Sequence, residues 1–198
     1  MNELDTLNML LRLIGVSYVN SLETDHPDSV NARTTMNRVS KRIQTKGWWF
    51  NTDYSIRYVR NSANEIRVPS QVVSMQFDDP SIIQRGNKLY DRANNTFQFK
   101  QDITAIKVIR VLDWDDMPDL AQMYCAYYAG AEFVRDELED PSKEKSLQAS
   151  AASSLIDLNQ QELREHKPNI FAKPRVLRAR SGIRPYATSR KFYGTPDR

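Results

Sequence analysis

The feature that most constrains this chain is a switch of period. Up to Gly47 the apolar residues recur every three or four positions, the spacing of a helix face; from Trp48 they alternate, and helical spacing returns at Asp116. Trp48, Phe50, Thr52, Tyr54, Ile56 and Tyr58 alternate with Trp49, Asn51, Asp53, Ser55 and Arg57. These residue types favour strands, so the run predicts one long strand from Trp48 to Tyr58. Further strands are expected at 72–77, 88–91, 97–99 and 103–112. Gly86-Asn87 and Asn94-Asn95 stand where tight turns need cheap positive φ. Residues 48–112 therefore read as a small, mainly antiparallel β-domain.

Helices flank it. Leu4, Leu7, Leu11 and Ile14 form a seam that Gly15 stops. A second helix is expected over 27–46. Pro27 suits its first turn, Asp25 and Asp28 its positive end, and Gly47 its end. Its stripe is Ala32, Met36, Val39 and Ile43, and Arg38, Lys41, Arg42 and Lys46 gather toward its C-terminus. Asp116-Met117-Pro118-Asp119 reads as the cap of a third helix with the stripe Leu120, Met123, Tyr127, Ala131, Val134 and Leu138. Asp140-Pro141 opens a fourth by the same logic, with Leu147, Ala151, Leu155 and Leu158 inward, running to about His166. The expected class is α+β: a four-helix bundle (1–47 and 113–166), an inserted, mainly antiparallel β-domain (48–112), and an extended C-terminal arm (167–198).

The arm carries the charge anomaly. It holds nine Lys and Arg against Asp197 alone, so its +8 exceeds the whole chain's +3 and leaves about −5 on residues 1–166. The pI near 8.9 thus speaks for the arm only. Pro168, Pro174, Pro185 and Pro196 exclude a useful helix, while Ile170, Phe171, Val176, Leu177, Ile183, Tyr186, Phe192 and Tyr193 are spaced like anchors. A solvated basic end would not need them. No apolar run approaches the roughly 18 residues that cross a bilayer, and the acidic start lacks a signal peptide's regions. Cys125, the one cysteine, excludes an internal disulfide framework and fits assembly in a reducing cytoplasm.

Catalytic signals are weak. His26, His166 and Cys125 lack zinc-ligand spacing, so no metal is expected. Asp113, Asp115, Asp116 and Asp119 could in principle bind a cation or supply a glycosidase pair. Capping explains them more simply, with Asp116 and Asp119 at the third helix's N-terminus. The six scattered glycines write no nucleotide loop and no serine has a nucleophile-elbow context, so neither a cofactor nor an enzyme is supported. Trp48 to Tyr58 could stack bases or sugars, but only Arg57 and Arg60 stand beside it, and a packing role is preferred. Tyr124, Tyr127 and Tyr128 read as helix packing.

An ordered set of landmarks then stands out: Leu13-Ile14-Gly15, Ser21-Leu22-Glu23, Asn31-Ala32-Arg33, Asn37, Arg42-Ile43-Gln44, Gly47-Trp48, Phe50-Asn51, Leu89-Tyr90-Asp91-Arg92 and Asp115-Asp116-Met117-Pro118. Together, over about residues 4–138, they resemble the tail tubular protein A family, the head-to-tail adaptors of short-tailed bacteriophages. The resemblance implies a virion protein without catalysis, a helical bundle with a β-domain. It also implies a twelve-subunit ring between the portal protein and the tail nozzle (tubular protein B), with genomic DNA passing through its lumen. In that family the C-terminal segment reaches the portal, and the β-domain lies toward the nozzle and tail fibres.

Joined to the charge pattern, this makes the arm a portal strap. Phe171, Arg175, Arg178, Arg180, Ile183, Arg184, Tyr186, Arg190, Lys191 and Phe192 are the expected contact residues, the arginines for carboxylates and the apolar groups for pockets. Two other classes stay open at this point. One is nucleic-acid binding by the same arm; the other is a polysaccharide or peptidoglycan hydrolase using acids of the β-domain or of the Asp113–Asp119 cluster.

Overall fold

A computed structural model describes residues 1–23 and 26–166. Four helices, α1 (Glu3–Leu13), α2 (Pro27–Gln44), α3 (Asp119–Leu138) and α4 (Pro141–His166), enclose in sequence five strands, β1 (Thr52–Tyr58), β2 (Val72–Gln76), β3 (Ile82–Arg85), β4 (Lys88–Asp91) and β5 (Ile103–Arg110). The class is α+β, with small antiparallel sheets. Asp25 and the arm lie outside the described residues.

The helix stops follow the sequence closely. Gly15 takes φ +79°, its N–H donates to the Arg12 carbonyl at 3.1 Å, and the Val16 N–H donates to the Leu11 carbonyl at 3.0 Å. This pair of bonds satisfies two orphan carbonyls and needs a left-handed residue, which glycine supplies without a Cβ clash. At α4 the Asp140 carboxylate accepts from the Ser142 and Lys143 N–H groups, with Pro141 in the first turn, as expected. At α3 the expected cap is corrected. Pro118 occupies the cap position with no side-chain bond, and Asp116 ends a separate 3-10 turn, Trp114–Asp116. Asp119 does lie in the first turn, but it pairs with the Met1 amino group at 3.4 Å.

The α3 face is also corrected. Ala131 and Val134 of the expected stripe are buried, but Met123 and Leu138 are more than a third exposed, and the main buried line is Ala121, Cys125, Ala129 and Phe133 with Gln122 and Ala126 beside it. The reason is close approach: α1 and α2 both pack on α3, and small side chains let the backbones near each other. Gly130 shows the same effect toward the end of α1 and toward α4, since a Cβ there would stand 3.2 Å from Leu13 Cδ1 and 3.6 Å from Leu147. Ala151, Ser154 and Leu158 are the buried residues of α4.

The long strand from Trp48 is corrected too. The alternation spans two structures, a 3-10 turn (Trp49–Asn51) and then β1. Trp48, 2% exposed, belongs to the helical core with Leu7, Met36, Val39 and Phe133. Its indole N–H donates to the Ile43 carbonyl at 3.0 Å, which turns the ring back under α2. Within β1, Ser55 takes φ 57°, and Tyr54 beside it is exposed while Tyr58 is buried.

The sheets are three-stranded, in the order β1-β5-β2, and two-stranded, β3-β4, all pairs antiparallel. β3 was not foreseen, whereas its hairpin turn at Gly86, φ 63°, was. Residues 97–99 form no strand. Thr96 and Gln98 make single bridges to Asp91 and Glu65, too little to propagate a ladder. Tyr58, Ile66, Val68, Val72, Leu89, Phe99, Ala105 and Val108 make a second core distinct from the helical one.

Candidate functional site

Two features of the described residues bear on function: a buried polar clamp where helices pass into strands, and a groove on the helical surface.

The clamp is built from two amides. Gln44, the last residue of α2, is fully buried. Its Oε1 accepts from the Leu112 N–H at 2.8 Å, and its Nε2 donates to the Leu112 carbonyl at 3.1 Å and the Ser40 hydroxyl at 3.0 Å. Asn51 is 3% exposed; its Oδ1 accepts from the Trp48 N–H at 2.8 Å, and its Nδ2 donates to the Gln44 carbonyl at 2.9 Å and the Arg110 carbonyl at 2.7 Å. Buried amides are tolerated when satisfied in this way. The chain leaves the helices at Gly47 and returns at Leu112, and these two side chains tie both crossings together. Sequence reasoning missed both as functional positions. The available signal was a pair of amides flanking the period switch. Gly47 is required there: its φ is +76°, and a Cβ would come within 2.5 Å of Ile109 Cδ1.

The groove lies over α3. One hollow of about 240 Å³ is lined by Arg42, Lys46, Trp48, Tyr124, Tyr128 and Leu155. A second of about 180 Å³ shares Tyr124, Tyr128 and Leu155 and extends along α4 past Ala151, Ala152 and Gln148. Tyr124 and Tyr128, one turn apart, meet edge to face with centroids 5.9 Å apart. The Arg42 guanidinium sits 4.8 Å from the Tyr128 centroid and the Lys46 ammonium 4.0 Å from the Trp48 ring. Arg42 also donates to Glu132 at 2.7 Å, and that hydrogen bond holds its pKa above the ordinary value. Arg38 reaches Glu132 and Asp136, both at 3.4 Å. The cations gathered at the end of α2 are thus partly spent on α3, while Lys46 has no carboxylate partner among the described residues. Burial pushes the Tyr124 phenol upward. Each hollow is below the roughly 300 Å³ at which small-molecule sites begin, and the two suit protruding side chains instead.

The other candidates resolve as follows. Asp113 and Asp115 stand near Glu3, whose carboxyl is pushed up by burial first and then by Asp115, with Arg33 opposing. Among the described residues no group of three or more His, Cys, Asp or Glu could hold a metal. Cys125 is buried, and burial drives its thiol up to about 12. No helix among the described residues is long and apolar enough to cross a membrane. Trp49 and Phe50 pack on the helical core, in keeping with the packing role preferred for that run. The ten expected arm residues, Phe171, Arg175, Arg178, Arg180, Ile183, Arg184, Tyr186, Arg190, Lys191 and Phe192, all lie outside the described residues.

Four helices with an inserted pair of antiparallel sheets define an α+β protein. The chain belongs to the tail tubular protein family, structural proteins of phage tails: the family's sequence model, described as tail tubular protein, matches residues 4–177. It is also similar to the tail tubular protein A of Klebsiella phage KP34, at 29% identity over 173 residues, covering 85% of this chain and 89% of that one. The family match runs past Leu138, where the recognisable landmarks end, through α4 and into the first part of the arm.

Proposed function

We propose that this protein is the head-to-tail adaptor of a short-tailed phage: a ring, of twelve subunits by family resemblance, between portal and tail nozzle, with DNA passing through its lumen. The observation that carries the reading is the family match across the whole described body and into the arm. In this reading residues 1–47 and 113–166 form the ring-building domain and 48–112 a β-domain directed at the nozzle and fibres. The clamp of Gln44 and Asn51 holds the two at a set angle, so that a load on one is transmitted to the other. Residues 167–198 strap onto the portal. Arg175, Arg178, Arg180, Arg184, Arg190 and Lys191 meet carboxylates, while Phe171, Ile183, Tyr186 and Phe192 fill pockets. A ring presents many arms at once, so after one docks the rest bind at high effective concentration.

The test is deletion of residues 167–198. The truncated protein keeps the far-UV spectrum of a folded body and no longer co-sediments with purified portal rings. Co-sedimentation at full-length level would remove the strap. The arm's +8 charge also supports a second reading, in which its cations neutralise phosphates. Steeply salt-dependent DNA retention that disappears on the same deletion would favour that reading.

A further inference from the structure

The loop between α1 and α2 is built to hold one aromatic side chain out of the protein. Val16, Val19 and Leu22 turn inward against the helical core, and Tyr18 between them is 65% exposed. The loop backbone is pinned on both sides of it, and before it the Val16 N–H donates to the Leu11 carbonyl at 3.0 Å. The Asn8 amide forms a two-point contact with Val19, donating to its carbonyl at 3.0 Å and accepting its N–H at 2.8 Å. Arg33 donates to the Leu22 carbonyl at 2.7 Å. A tyrosine on a pinned loop loses little conformational freedom when buried by a partner, which is the property of an interface anchor. Nothing in the described structure uses this side chain.

We propose that Tyr18 of one copy seats in the groove of Arg42, Lys46, Tyr124, Tyr128 and Leu155 of a neighbouring copy. The match is of size, surface and charge. The groove takes single side chains, its walls are two tyrosine rings and a leucine, and its rim carries Arg42 and Lys46, the latter without a carboxylate partner among the described residues. The loop from Val16 to Glu23 carries one charge, the exposed Glu23 carboxylate, five residues from Tyr18 and of the sign that the rim needs. Knob and hole are different patches of one surface, so the contact is heterologous, the kind that propagates around a ring. The inference rests on the ring reading above and adds to it the residues by which one copy recognises the next.

The experiment uses the full chain. Ser17→Cys leaves Tyr18 intact, Gln148→Cys changes only the outer end of the second hollow and leaves Arg42, Lys46, Tyr124, Tyr128 and Leu155 in place, and native Cys125 is buried with a thiol of pKa about 12. The two variants are mixed and treated with a short bis-maleimide. The expected product is a covalent mixed dimer that is lost when Tyr18→Ala is added to the Ser17→Cys chain. Sedimentation of the otherwise native Tyr18→Ala protein should show self-association weakened about 30-fold, the equivalent of about 2 kcal/mol. Absence of the mixed dimer, or an equal yield with Tyr18→Ala, overturns the proposal. If native and Tyr18→Ala proteins form the same rings with equal affinity, this docking falls and the ring reading stands. If native protein forms no ring with or without portal, both fall.

Discussion

Replacing Asn51 by alanine tests whether the clamp couples helices to strands. The substitution removes two donated bonds, to the Gln44 and Arg110 carbonyls, each worth about 1 kcal/mol. It also strands the Trp48 N–H in a buried setting, at about 1–3 kcal/mol. The Gln44 carbonyl keeps the Gly47 N–H as a partner, so no further charge is due there. The sum is about 3–5 kcal/mol, a large share of a typical stability. For a chain of this size each kcal/mol lowers Tm by about 2–4 °C, so a fall of roughly 6–20 °C is expected by calorimetry. The shape of the transition matters as much. Asn51 bonds α2 on one side and β5 on the other, so its loss should split one endotherm into two as the two cores melt separately. A single endotherm within about 2 °C of the native one would refute the coupling.

Three further outcomes follow from the same structure. Gly47→Ala combines a left-handed φ with a contact on Ile109 and should cost about 2–3 kcal/mol in urea unfolding, whereas Gly15→Ala, where a Cβ meets nothing within 4 Å, should cost only the backbone part, about 1–2 kcal/mol. Cys125, moved from an ordinary 9.0 to about 12, keeps about a thousandth of the usual thiolate near neutrality; Ellman's reagent should find no thiol at pH 8 until urea is added. The Asp102 carboxyl is held below its ordinary 3.8 by the Arg60 N–H and then by Arg57, so its stabilisation is present above that value and is lost as pH falls through the lowered one; thermal melts of native protein should drop between pH 5 and pH 2 by more than those of Asp102→Asn.

What was legible in the sequence was whatever depends on neighbours along the chain. Gly15, Asp140-Pro141 and Gly86 act through φ and local N–H groups, so their positions marked the ends of α1, the start of α4 and the β3–β4 turn before any tertiary contact was known. The buried stripe of α2 was readable because α2 is amphipathic in the simple sense. The α3 face was not, because α3 is packed on more than one side. There Met123 and Leu138 face outward, and alanines share the contact with Phe133 and Val134. Trp48 carried a strand signal, yet tertiary packing drew it into the helical core. Gln44 and Asn51 looked like ordinary polar residues until folding brought Leu112 and Arg110 to them across some sixty positions. The groove likewise needed α2, α3 and α4 in place together. Periodicity and turn chemistry are local energies and survive in one dimension. Which faces meet, and which amides become joints, is decided only when distant segments compete for the same buried space.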